Sequence, residues 1–200
     1  AKVAWALYEH PDKKIDDFKK PFSIPPLKQK AKLCLIPTTA GTGSEVSNSA
    51  VVKVEGEKIP LLSADFVPEI AILDPTLLVA LPPKVTAFTA LDAFTHAVES
   101  YCSKLNNALT DTYATSGAKL LVENLIKAIE SPSDVAAREK LLYGSMLAGV
   151  AQGMTSVGGV HALSHAMGSR IDLSHGHANA VFLVPILKFN AEESPRVVEF

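Results

Sequence analysis

The segment Lys84–Lys104 constrains this chain more than any other. It contains no Gly or Pro and opens directly behind Pro82-Pro83, the arrangement expected at a helix start. Phe88, Leu91, Phe94, Ala97 and Val98 make the predicted helix apolar around most of its girth, which requires burial among other elements. Asp92 and His96 lie on that same helix, four residues apart and therefore on one face. Taking a lone carboxylate out of water costs several kcal/mol unless a partner compensates it. The fold must therefore supply Asp92 with a cation, a donor network or access to solvent. An Asp–His hydrogen-bonded pair in a core and a metal site both meet that requirement.

The remaining histidines bear on the choice. Five of six lie at positions 96, 161, 165, 175 and 177, and only His10 is remote. His161 and His165 repeat the i, i+4 spacing on the predicted helix Val160–Met167, and Ser174-His175-Gly176-His177 falls where a loop enters a helix. Neutral imidazoles and a carboxylate suit a divalent transition ion such as iron or zinc. Two helical pairs and one loop histidine would surround such an ion inside a bundle. The alternative is two unrelated helix-face pairs and a solvated turn.

The chain divides near Leu81-Pro82-Pro83. Before it, Ala1–Glu9 reads as a helix and Pro11–Gln29 as a polar connection. The apolar runs Lys32–Ile36 and Glu69–Leu73 read as short buried strands, and Ser49–Glu55 with Ile59–Ser63 as a hairpin around Glu55-Gly56-Glu57. After the division the period is helical. Beyond Lys84–Lys104 come Ala108–Glu130, a helix capped by Ser133-Asp134 and running to about Gly153, Val160–Met167, and His177–Asn190 with an internal Pro185. Gly144 and Gly149 on the third of these would permit close approach of a neighbour. The expected fold is thus α/β plus all-α: a partial α/β domain over 1–81 and an all-helical domain over 82–200.

A further pattern, Pro37-Thr38-Thr39-Ala40-Gly41-Thr42-Gly43-Ser44-Glu45, follows a predicted strand directly. Small residues let backbone approach a ligand closely, and hydroxyls with free N–H groups can cradle an anion. The pattern lacks both the Gly-Lys-Ser/Thr ending of a phosphate loop and the G-x-G-x-x-G spacing, and a tight structural turn satisfies it equally.

Composition narrows the partners. Nineteen basic against twenty-one acidic residues give a formal charge of −2, with no electrostatic case for nucleic acid or an anionic membrane. An apolar content of 48% excludes disorder. The longest apolar run, Ala180–Leu187, is eight residues and holds Pro185, against the roughly 20 a spanning helix needs. Cys34 and Cys102 sit in apolar stretches, and no signal peptide precedes them, so the expected compartment is reducing and cytoplasmic.

Taken together, Ile36–Glu45, Leu91-Asp92-Ala93-Phe94-Thr95-His96-Ala97-Val98-Glu99, Gly159–His165 and His175–Ala180 resemble the iron-containing (group III) alcohol dehydrogenase family in order and spacing. The resemblance runs from Pro37 to Asn190. It implies an oxidoreductase moving a hydride between NAD or NADP and a metal-bound primary alcohol or aldehyde. It implies Fe2+, or Zn2+, on Asp92, His96, His161 and His175. Thr38, Thr39, Gly41 and Thr42 match a cofactor-binding loop, and Lys58 matches a further cofactor contact. His165 matches a histidine near the metal and substrate that is not a ligand, either relaying the alcohol proton or holding a ligand. A homo-oligomer is compatible with the family. Two alternatives remain at this level: a metal-dependent hydrolase, and a non-catalytic helical domain with a structural metal.

Two departures accompany the resemblance. The family's Gly-Gly-Gly-Ser-x-x-Asp motif ends in Ala-Lys, where this chain begins at Ala1-Lys2, and the family's helical domain runs past the position of Phe200. The expectation is the central portion of a longer enzyme, binding dinucleotide poorly when isolated.

Overall fold

The computed structural model describes residues 1–168, 171 and 173–200. The first part holds helix α1 (Lys2–Glu9) and strands β1 (Cys34–Leu35), β2 (Ser49–Val54), β3 (Glu57–Leu62) and β4 (Ile70–Ala71). The helical part holds α2 (Pro83–Cys102), α3 (Ala108–Glu130), α4 (Val135–Thr155), α5 (Gly159–Gly168), α6 (His175–Ala191) and α7 (Arg196–Glu199). Each predicted helix is present. The last of the five starts at His175, two residues earlier than its apolar pattern suggests, because Ser174 is extended and hands the chain into the first turn.

Strands β2 and β3 form the expected antiparallel hairpin, in register from Ser49 opposite Leu62 to Val54 opposite Glu57. Glu55 (φ 51°) and Gly56 (φ 90°) both take positive φ, the geometry of a two-residue hairpin turn. The two runs expected as buried strands are different. β1 and β4 pair in parallel over two residues each, Cys34 with Ile70 and Leu35 with Ala71. Cys34, Ile36, Ile70 and Ile72 are exposed. Of the four paired residues only Leu35 is partly buried, packed against the core beside α1, and burial of a strand depends on what covers it rather than on its own hydrophobicity.

The polar connection after α1 is also better anchored than its composition suggests. Phe18, Ile24 and Leu27 are buried with Trp5, Ala6, Leu33, Leu61 and Phe66, forming one core between α1 and the hairpin. The Glu9 carboxylate closes the connection by accepting N–H groups from Gln29, Lys30 and Ala31.

In the helical part, α2, α3 and α4 pack as a layer around Ala90, Ala93, Leu121, Leu141 and Leu142. Asn107 caps α3 and Asp134 caps α4 through side-chain acceptance of first-turn N–H groups. Arg138 is fully buried and donates to Pro132 O, Thr86 Oγ1 and Leu81 O, tying α4 to the start of α2. Close helix approach at Gly149 is realised against the loop after β1. A Cβ on Gly43 would lie 2.4 Å from Gly149 Cα, and Gly43 takes φ +57°. The loop is thereby seated on α4, joining the two parts next to the histidines. No helix among the described residues is long and apolar enough to cross a membrane.

Candidate metal centre and cofactor cleft

Asp92, His96 and Glu99 occupy positions i, i+4 and i+7 of α2 and so share one face, turned toward α5 and α6. All three are buried. Glu99 meets the start of α5: its Oε1 accepts the Val160 N–H at 2.7 Å, and its Oε2 lies 2.5 Å from His161 Nδ1. A carboxylate at a helix N-terminus satisfies an otherwise unpaired donor and complements the dipole. Here it also fixes the imidazole. With Nδ1 committed to Glu99, His161 turns Nε2 toward Asp92, whose Oδ1 lies 3.5 Å away.

His175 arrives from the first turn of α6. A Cβ on the adjacent Gly176 would lie 2.0 Å from Phe88 O, so only glycine lets α6 sit this close to α2. That contact brings His175 Nε2 to 3.5 Å from Asp92 Oδ1. Ser164 Oγ, 3.1 Å from His175 Nδ1, engages the other ring nitrogen. His96 stacks on His161 with ring centroids 4.6 Å apart, and its buried Nδ1 has no hydrogen-bond partner.

Donor atoms of Asp92, His96 and His161 all lie within 4.8 Å of one another, with His175 beside Asp92. The structure therefore brings the four residues expected as ligands to one place. His165, one turn beyond His161, stands next to them with its ring centroid 5.0 Å from that of His175. His177, given no role from sequence, stacks on Phe88.

The electrostatics favour a cation. Burial works against ionisation of Asp92, but the charges of His96, His161 and His175 hold its carboxyl well below the usual range. Burial likewise opposes the Glu99 carboxylate, and His161 with the Gly158 and Val160 N–H groups overcomes it. His161 is driven down by burial yet raised by Asp92 and Glu99, ending at about 9. Burial lowers His96, and lowers His175 to about 4 against the pull of Asp92. His165 is lowered by burial, with the charges of His161 and Lys58 adding to it. Two buried carboxylates stand beside His161, which they favour in its charged form, and beside His96 and His175, which burial favours as neutral; the site is built around positive charge, and this nitrogen and oxygen set suits iron or zinc.

Asp92, His96, His161, His165 and His175 lie along a cleft of about 730 Å³ that is also lined by Thr42, Ser44 and Lys58. Thr42 and Ser44 further line a hollow of about 220 Å³ with Thr38 and Thr39. The expected cofactor loop thus connects both spaces. Gly41 is placed differently, buried against α2, where a Cβ would lie 2.8 Å from Thr89 Cβ. Lys58 projects from β3 into the cleft, its Nζ 3.2 Å from where a Cβ on Gly168 would lie.

Glu99, Ser164 and Asn179 were not distinguished by sequence reasoning. Glu99 had a readable signal, its i+7 spacing from Asp92. Asn179 had a weaker one, its i+4 spacing from His175 on α6.

The helical portion thus gathers an Asp and several His, and the α/β portion faces them across one cleft with a small-residue loop, an arrangement with the donors for a metal ion and room for a second ligand beside it. The chain belongs to the iron-containing alcohol dehydrogenase family: residues 1–75 match the model "Iron-containing alcohol dehydrogenase" and residues 86–199 match "Fe-containing alcohol dehydrogenase family, C-terminal". It is 40% identical over 197 residues to the NADPH-dependent butanol dehydrogenase of Clostridium saccharobutylicum, covering 97% of this chain and 50% of that one. It superposes on a 1,3-propanediol oxidoreductase with TM-score 0.91 at 34% identity, covering 99% of this chain and 53% of that one. It superposes on the sulfoacetaldehyde reductase of Bifidobacterium kashiwanohense, solved in complex with NAD+, with TM-score 0.86 at 33% identity, covering 94% and 50%. The chain therefore spans about half the length of these relatives. Family membership gives no support to the hydrolase alternative.

Proposed function

We propose that the full-length protein interconverts a small primary alcohol and its aldehyde by hydride exchange with NAD or NADP, using iron held by Asp92, His96, His161 and His175. The observation that carries this reading is the convergence of the Asp92, His96 and His161 donor atoms in the same cleft that Thr42, Ser44 and Lys58 line. When bound, the ion supplies a Lewis acid for the substrate oxygen, and the dinucleotide supplies or accepts the hydride. Zinc fits the same donor set.

The chain's own residues account for the rest. Glu99 holds His161 in the tautomer that leaves Nε2 free. Thr38, Thr39 and Thr42 offer hydroxyls and backbone to the dinucleotide from the loop that Gly41 and Gly43 seat on α2 and α4. Lys58 lines the same cleft and would offer its ammonium to the bound dinucleotide. Val51, Pro60, Leu62 and Val157 give the cleft apolar surface beside the metal-facing side chains. His165 borders the site without joining the ligand atoms, and takes or gives the alcohol proton. In this reading residues 1–81 serve the cofactor and 82–200 the metal, and the protein works in the cytoplasm.

The test is metal content per chain after anaerobic purification of the full-length protein, with His161→Ala alongside. Near-stoichiometric iron or zinc in the parent and little in the variant is expected, with loss of NAD(P)H-dependent aldehyde reduction. A variant with normal metal content and turnover removes the assignment.

A further inference from the structure

We infer that Lys2 is a positioning residue for the dinucleotide, holding from α1 the junction of loop and strand that lines the cleft. The inference rests on the cofactor reading proposed above and needs nothing from the metal ligands.

Lys2, Trp5, Ala6 and Glu9 form the buried face of α1. Two of these four are charged, and each grips a stretch of connecting chain. Glu9 accepts the N–H groups of Gln29, Lys30 and Ala31. Lys2 does the converse: its Nζ lies 2.5 Å from Ser47 O, 3.3 Å from Ser47 Oγ and 3.0 Å from Ser49 O. An ammonium carries three donors, and here three acceptors within three residues converge on it. The placement is otherwise unfavourable. A cation in the first turn opposes the helix dipole, and a buried one gives up its hydration. The three oxygens offset both costs, and removing the ammonium takes a partner from the Ser47 and Ser49 carbonyls together.

The gripped stretch belongs to the cleft. Gly43 packs on Gly149, and a Cβ on Gly153 would lie 3.6 Å from Ser47 Cα, so residues 43–47 run along α4 over one of its turns. Asn48 O then accepts the Ser63 N–H, closing the open end of the hairpin. Ser47, Ser49, Ala50 and Val51 line the same cleft as Thr42, Ser44 and Lys58. Lys2 is not part of that lining, so it acts on a bound molecule through Ser47 and Ser49. Its loss frees the junction between the loop at residues 38–44 and β2. Asp92, His96, His161 and His175 stand on α2, α5 and α6, away from the freed segment. The signature is lost dinucleotide affinity with unaltered metal affinity.

The experiment titrates the zinc-loaded full-length protein with NADPH and with NADH, following nicotinamide fluorescence, and measures Zn2+ affinity by chelator competition. The parent is compared with Lys2→Met, which keeps the length of the side chain and removes its donors. Phe18→Leu is the control, loosening the core under α1 without removing a polar contact. Lys2→Met should raise the dinucleotide Kd about tenfold, a usual size for a residue coupled to a ligand it does not touch, and leave Zn2+ affinity unchanged. Phe18→Leu should lower the thermal midpoint and leave both affinities at the parent's values. A parent-like Kd in Lys2→Met, an equal rise in Phe18→Leu, or a matching loss of Zn2+ affinity reduces Lys2 to general stability and overturns the inference. Where Lys2→Met does not fold, Lys2→Arg carries the test, because it keeps the charge but its planar fork does not match three converging oxygens. A raised Kd in Lys2→Arg then supports the inference, and a parent-like Kd overturns it. A parent that binds neither dinucleotide overturns the cofactor reading itself, and this inference with it.

Discussion

The Glu99 Oε2 atom lies 2.5 Å from His161 Nδ1 while Glu99 Oε1 receives the Val160 N–H, so one carboxylate both caps α5 and aims its imidazole. Carboxylates that orient a metal-binding histidine typically contribute 10–100-fold in metal affinity. Glu99→Ala should therefore weaken Zn2+ or Fe2+ binding by about that factor, with Glu99→Gln weaker in effect because an amide oxygen still accepts from Nδ1–H. Competition against a chelator measures it. Unchanged affinity in Glu99→Ala would show that His161 is oriented by other contacts.

Gly176 makes a second, steric prediction. A methyl group there would overlap Phe88 O, which is α2 backbone and has no flexible end to yield. Gly176→Ala should cost about 3 kcal/mol, near the upper end of ordinary overpacking, and should lever the first turn of α6 away from Asp92. Reduced metal affinity together with lower stability is the expected pair of results. Gly153→Ala is the control, since its nearest neighbour atom lies at 3.6 Å, an ordinary contact. Comparable losses in the two variants would count against the steric account.

These two residues mark how far the sequence carries. Asp92 and His96 were legible because an ionisable pair on an otherwise apolar helix demands an explanation at the level of that helix alone. Glu99 shares their face, yet near a helix end it reads equally well as a solvated charge. Its role appears only when α5, 61 residues away, docks on it. The hairpin was legible because Glu55-Gly56 carries its turn chemistry locally. The strands β1 and β4 were misjudged as buried for the opposite reason, since nothing local to Cys34 or Ile70 states what lies over them. Gly43 and Gly149 illustrate the same limit: each glycine permits a close approach, and neither says to what.

Lys2 provides a pH prediction away from the histidines. Its ammonium is buried and donates to Ser47 O and Ser49 O, with Phe66 beside it. Burial lowers its pKa to about 8 from 10.5, against an opposing pull from Glu45. The folded state therefore holds this proton less tightly than the unfolded state. Between these two values the unfolded chain binds more protons, so stability rises with pH across that window. Below about pH 8 both states are protonated and the contribution is flat. Urea midpoints of the parent should gain on those of Lys2→Met as pH rises from about 7.5 to 9.5. Parallel pH profiles for the two proteins would show that Lys2 titrates as an exposed lysine does.

His165 separates a proton-handling role from a structural one. Its ring stands edge-on to His161 at a centroid distance of 6.1 Å, and it lines the cleft with the ligand side chains without joining the three donor atoms that converge. Removing it should leave metal content intact, because none of the four assigned ligands is lost. If it handles the alcohol proton, His165→Ala should lower turnover by about 10²–10⁴-fold, the range typical of a positioned acid or base. It should also flatten the limb of the pH–rate profile that reports a group below its ordinary imidazole pKa, the direction in which burial shifts this residue. Metal content and the pH profile must be read on the same preparation. A variant that loses its metal would make His165 a support for the ligand set, and full metal with an unshifted profile would remove it from proton transfer altogether.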